Sequence, residues 1–361
     1  MSTKKLELGK DKCFQIHVGK NDPELCASLN VHEEIMKTTS SEKYLGDIIS
    51  NSGKIDENIQ ARVNKGEGVI NTIISLVEEI SFGVHYFEMA LLFRNSMLIN
   101  SMLSSSEVLY GVKQKHIDML ESCDRSLLTR LFGVPSSCSY EAVYLETGIL
   151  PVRFILQGRR LMYYWTLLNK SENELVKKVF DIQKEHSVKD DWIEQIKDDL
   201  KSLEIELTEQ EIKDMGKEPF KNIVKKKLKD KAADFLFSYK AKHSKTKHLN
   251  TYKLQSYLSS DQLSTNEKKL LFSLRTRSVD VKRNYKNKHK FNMLCSLCKD
   301  DSEEETELHL LKCPKILDET KDDIDITEAK YEDIFSNDLE DQVVITKIFK
   351  EVLKAKKILK N

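Results

Sequence analysis

Hydrophobic positions recur at intervals of three and four residues along most of the chain. Ile55, Ile59, Val63, Ile70, Ile73, Ile74, Val77 and Ile80 form one series; Phe87, Leu91, Met97, Leu98 and Met102 form a second; Ile117, Leu120, Leu127, Leu128 and Leu131 form a third. That period places apolar side chains on one helical face, so three amphipathic helices that bury those faces together are predicted. Phe132-Gly133-Val134-Pro135 closes the third with a Gly-then-Pro stop. Ser139 then caps a short helix to Glu146, Gly148 ends it, and Pro151 opens the helix over 151–168.

Beyond Asn169 the predicted helices are shorter and more charged. Ser171 with Glu174, Thr208 with Glu211, and Ser264 with Glu267 match the capping box. Trp192 and Leu200 mark a helix over 190–203, and 206–217 reads as a linker or a short helix. Pro219 starts a Lys-rich helix whose apolar side carries Phe220, Ile223, Leu228, Phe235 and Phe237. The last helix, 341–359, carries Val344, Ile345, Ile348, Val352 and Leu359. Alternation suggests strands only at 12–20 and 43–54, the latter running into an Asn51-Ser52-Gly53 turn. The expected fold class is mainly α, with a small N-terminal β unit.

Composition agrees, since only 12 Gly and 5 Pro punctuate 361 residues. Lys plus Arg and Asp plus Glu number 58 each, so net charge names no partner. The charges are segregated, however, and local sums matter. Residues 217–253 hold twelve Lys against Glu218, Asp230 and Asp234, residues 268–290 hold nine Lys and Arg against Asp280, and residues 299–341 are strongly acidic. The most apolar stretch, 86–103, is interrupted by Glu88, Arg94, Asn95 and Asn100 and falls short of the roughly 20 apolar residues of a span. It reads as a buried core helix. Seven cysteines and an opening MSTKKLELGK without a secretory leader point to a reducing, intracellular setting.

One cluster carries chemistry: Cys295, Cys298, His309 and Cys313 in the order C-x2-C-x10-H-x3-C. A C-x-x-C turn lets two thiolates converge, while His309 and Cys313 share one face of a helical turn. Four soft or borderline ligands suit Zn2+ and leave no open position for substrate, so a structural site is expected. The competing readings are chance clustering or a redox pair. Beside it runs a basic strip, Arg275, Arg277, Lys282, Arg283, Lys286, Lys288 and Lys290, interleaved with Phe272, Tyr285 and Phe291. Cations contact phosphates and aromatic rings stack on unpaired bases, against the alternative of a solvated basic face. Lys225, Lys226, Lys227 and Lys229 are weaker candidates for the same role.

Taken in order, KYLGDIISNSGK, LLFRNSMLINSMLSSSEVLYG, LESCDRSLLTRLFGVP, YEAVYLETGILPVRFILQGRRLMYYWTLL and the C-x2-C with ETELHLLKCP make a longer signature. Over about residues 12–314 the chain resembles the region downstream of the catalytic palm in non-LTR retrotransposon reverse transcriptases. The resemblance implies a palm-end β remnant (1–54), a helical thumb-like bundle (55–135), a helical linker (136–263), a basic segment with a CCHC zinc knuckle (264–316), and an acidic segment with a C-terminal helix (317–361). Arg62, Lys65 and Arg94 match commonly basic thumb positions, although Arg94 in an apolar helix equally suits a buried ion pair. Arg159 and Arg160 are similarly open.

The family's polymerases hold two divalent ions on paired aspartates in an aromatic-x-Asp-Asp motif. Asp190-Asp191, Asp198-Asp199, Asp300-Asp301 and Asp322-Asp323 follow no such aromatic and read as solvated helix faces or starts. The expectation is a zinc-dependent module that binds RNA or DNA, has no catalytic residues or membrane partner, and neither polymerises nor cuts alone. The alternatives are a helical protein-interaction module, with a partner held through the acidic C-terminal segment, or part of an active polymerase. His17, His32, His85, His116, His186, His243 and His248 lack a paired ligand and read as structural or exposed. Cys13, Cys26, Cys123 and Cys138 read as small buried apolar side chains. Gly66 and Gly68 make no phosphate loop.

Overall fold

Each apolar series folds as a helix. In a computed structural model, which describes residues 13–17, 29–31, 34–44, 47–80, 83–136, 138–240, 245–285, 292–298, 303–321, 326 and 329–360, the first series is α1 (Asp56–Ile80). The second is split: α2 (Tyr86–Phe93) widens into a π-helical turn (Arg94–Ile99) before α3 (Asn100–Met102). The third is α4 (Gln114–Phe132), stopped by Gly133 at φ 65°.

α5 (Tyr140–Thr147) and α6 (Val152–Leu168) follow, with Ser139 and Pro151 at their N-caps. Gly148, at φ 65°, separates them, and a Cβ there would lie 2.7 Å from the Lys253 backbone. Only glycine allows both that turn and that approach. The chain continues through α7 (Leu175–Glu185), α8 (Trp192–Ser202), α9 (Glu209–Asp214) and α10 (Lys217–Lys240), then α11 (Ser256–Ser259) and α12 (Thr265–Arg275). The last three are α13 (Glu307–Leu310), α14 (Pro314–Thr320) and α15 (Leu339–Lys360). The fold is mainly helical, as the pattern predicts.

Capping boxes form at Thr208 and Ser264. The one expected at Ser171 does not open a helix, because Glu174, which accepts from the Ser171 amide at 3.2 Å, is itself the N-cap of α7. On α15 the expected face is right except for Val344, which is 56% exposed. Among the described residues the β segments are three separate two-stranded ribbons: β1 (Phe14–Gln15) beside β4 (Lys37–Thr38), β2 (Asn30–Val31) beside β3 (Glu34–Ile35), and β5 (Ser41–Tyr44) beside β6 (Asp47–Ser50). The stretch 43–54 is thus the end of one strand, the whole of the next and a turn with Gly53 at φ 64°.

Two cores result. The larger joins α1, α2, α4 and α5 to α12, α14 and α15, for example Ile59, Leu98, Leu127 and Tyr144 with Phe272, Ile316 and Phe349. The smaller joins α6 to α8, α9 and α10 through Leu161, Trp192, Ile212 and Phe220. α6 serves both, since Val152 and Leu156 belong to the first and Phe154 and Leu161 to the second. The larger core therefore runs across the expected borders near 135, 263 and 316. Gly66 sets how closely α1 and α4 approach: a Cβ there would lie 2.7 Å from Cys123 Sγ.

Candidate metal centre

The metal module is built from short pieces of chain. Leu294 and Glu304 form an isolated antiparallel bridge, extended by Cys295 N–H donating to Glu303 O at 2.9 Å and Glu305 N–H to Met293 O at 2.8 Å. This hairpin places Cys295 and Cys298 at one side. His309 sits on α13, whose N-cap Thr306 accepts from the His309 amide at 3.0 Å. Cys313 is the N-cap of α14, with Pro314 in the first turn.

The four side chains converge. One ligand atom from each of Cys295, Cys298, His309 and Cys313 lies within 4.8 Å of all the others. Cys295 Sγ is 4.0 Å from Cys313 Sγ, and Cys298 Sγ is 3.5 Å from His309 Nε2. Metal–sulfur bonds of about 2.3 Å and metal–nitrogen bonds of about 2.0 Å around a tetrahedron require edges of roughly 3.8 Å and 3.5 Å. The donor set therefore fits a tetrahedral ion and could hold one such as zinc. His309 Nδ1 lies 3.3 Å from Glu303 Oε2, so a carboxylate orients the ring with Nε2 toward the thiols. Burial pushes the Cys313 thiol up to about 11, with Cys295 and Cys298 adding to the rise. A cation among them acts the other way and favours thiolates.

The basic strip is where the structure departs most from expectation. Arg275 is 2% exposed: Nε and Nη2 donate to the Glu146 carboxylate at 2.8 and 3.0 Å, and Nη1 donates to Ile334 O at 2.8 Å. Tyr257 donates to the same carboxylate at 2.8 Å. Arg275 is an internal strut between α12 and α5, out of reach of a phosphate. Arg277 adopts φ 49°, donates to His248 Nε2 at 2.7 Å and lies over the Tyr331 ring. Lys282 donates to Leu294 O at 2.6 Å, and Arg283 pairs with Glu304 at 2.6 Å.

Of these four cations only Lys282 and Arg283 touch the metal module, and Arg283 stays largely exposed. Lys286, Lys288, Lys290 and Phe291 lie outside the described residues. Part of the acidic stretch is paired too: besides Glu303 and Glu304, Glu305 is 2.8 Å from Lys356 of α15, and Glu307 accepts from Asn284 at 2.8 Å. Arg283 with Glu304 and Asn284 with Glu307 join the two segments.

Of Arg62, Lys65 and Arg94, two are internal. Arg94, 1% exposed, donates from Nε and Nη2 to Asp124 at 2.7 and 2.6 Å and from Nη2 to Leu150 O at 3.1 Å. Tyr144 also bonds Asp124, and burial followed by that carboxylate raises the Tyr144 hydroxyl well above its ordinary value. Arg62 is buried between Asn58, Asp47 and the Met102 carbonyl, while Lys65 is exposed.

Arg160 clasps Asp199 at 2.7 and 3.0 Å, which corrects the solvated reading of that aspartate. Asp191 caps α8 by accepting from Glu194 N at 2.8 Å. Asp300-Asp301 and Asp322-Asp323 lie outside the described residues. His116 is buried, accepting from the Lys113 amide at 3.1 Å and lying 3.2 Å from Asp56.

Sequence reasoning did not anticipate Glu303, for which position six residues before His309 gives no local signal. It also missed a groove of about 540 Å³ between α6 and α10. Among the described residues no helix is long and apolar enough to cross a membrane. Compared with protein-family models, with curated proteins and with solved structures, the chain matches none.

Proposed function

We propose that the chain is a zinc-organised nucleic-acid-binding module, corresponding to the thumb, linker and zinc knuckle of a non-LTR retrotransposon reverse transcriptase and lacking polymerase chemistry of its own. The observation that supports it most is the convergence of Cys295, Cys298, His309 and Cys313 on one point. Three sulfurs and one nitrogen in a closed shell favour zinc over harder cations. Such an ion would be structural, locking the 294–304 hairpin to α13 and α14.

With Arg275 withdrawn, phosphate contacts fall to Lys286, Lys288 and Lys290 and to the exposed Lys225, Lys226 and Lys229 of α10. Purified protein should contain one zinc per chain by atomic emission. It should shift RNA or DNA with an affinity that falls steeply between roughly 50 and 200 mM salt. Metal-free protein with an intact module, or binding indifferent to salt, overturns the proposal.

A second reading is favoured by one surface. α7 leaves Leu175, Val179 and Ile182 exposed at 78%, 53% and 57%, one apolar stripe at helical spacing. That stripe suits a protein-interaction module, and Val179→Glu would abolish partner binding while leaving nucleic-acid binding unchanged.

A further inference from the structure

We propose that the groove between α6 and α10 is a track for single-stranded nucleic acid, with phosphates on Lys217, Lys221 and Lys225 and bases against the floor at Tyr163. This rests on the nucleic-acid reading above and gives it a location. Ile155, Met162 and Tyr163 of α6 line the groove, opposite Val224 and Leu228 of α10. Lining positions on α6 recur at helical spacing from Ile155 to Thr166, a length of about 16 Å at 1.5 Å per residue. This face is half-buried and open.

The three lysines stand four residues apart on one exposed bank, about 6 Å of rise between neighbours. Among the described residues Lys217 and Lys225 have no acidic partner, and Lys221 has only the exposed Glu218 at 3.1 Å.

Charge spread along the groove does not match a ligand with a single acidic head, such as a fatty acid. It matches a polymer with an anion at every repeat. Glu107 also lines the groove. That carboxylate would repel the flank of an acidic helix, but it accepts a hydrogen bond from the amino group of an unpaired base. Tyr163 adds an aromatic surface of the kind on which bases stack.

The test uses the full chain, a labelled mixed-sequence single strand, and the same strand with abasic residues at its centre. The abasic strand should bind about tenfold more weakly. Replacing Lys217, Lys221 and Lys225 together by Ala should lower the slope of log affinity against log salt by about 2. Tyr163→Leu, and independently Met162→Glu, should erase the preference for the strand with bases. Because Tyr163 also packs edge-on against Trp192, melting curves of each variant are compared with the parent.

Variants that bind both strands as the parent does overturn the groove and leave the nucleic-acid reading to another surface. A parent that binds neither strand overturns both.

Discussion

Around Arg94 the chain surrounds one ion pair with apolar side chains: Asp124 and Tyr144 are fully enclosed, and Phe87, Leu127 and Leu128 are buried in the same core. Around His309 the proportions reverse, with a short hairpin, one helical turn and a capped helix joined by thiols, an imidazole and four engaged glutamates. The first region has enough buried hydrocarbon to be stable and uses its polar pair to fix helix register. The second joins the same core through Leu310, Leu311 and Ile316, and there a bound ion is expected to contribute folding free energy. Polar groups therefore tie helices together inside hydrocarbon in one place and gather a set of metal donors in the other.

The comparison is tested most severely by removing the metal donors. His309→Ala or Cys313→Ser, or chelation of the parent protein, should release amide protection across 292–316 while α1 and α4 keep theirs in hydrogen exchange. Loss on the order of 10 kcal/mol of metal-linked free energy is available to drive that change. Simultaneous loss of protection everywhere would show that the two regions are one cooperative unit.

Next in size is Arg94→Met, which strands Asp124 in the core and should cost about 3–5 kcal/mol in urea unfolding. Adding Asp124→Leu should recover much of it, as expected if hydrocarbon dominates there. Lys356→Ala, which leaves the 1%-exposed Glu305 side chain without its cation, should cost about 2 kcal/mol and weaken metal retention.

The smallest effect concerns pH. Against the desolvation of partial burial, Lys350 and the Ser264 cap hold the Glu267 carboxyl down at about 2. A depressed carboxyl contributes stability that is complete above its unfolded value and is lost as pH falls toward the folded one. Glu267→Gln should therefore differ from the parent above pH 4.5 and converge on it toward pH 2. With Lys350 exposed, the difference should stay under about 1 kcal/mol.

What the sequence made legible was local. Helix faces, the stops at Gly133 and Gly148, the caps at Thr208 and Ser264, and the spacing of the metal donors all depend on residues within a turn or a short loop. What it hid depends on distant partners. Arg275 reads as a surface cation until Glu146, 129 residues earlier, is seen beside it. Arg94 meets Asp124 across 30 residues, and a run of Arg and Lys carries no mark of which members face inward. The groove was invisible for the same reason, since it exists only where α6 and α10 meet without a third helix above them.

The contact of Lys356 with Glu305 has a consequence for the order of events during synthesis. α15 supplies Ile345, Phe349 and Val352 to a core begun by α1, so a nascent chain halted before residue 339 carries an uncovered apolar seam and a metal module lacking one of its cations. Such a chain should recruit chaperones and be cleaved by proteases near 303–321 until this segment docks.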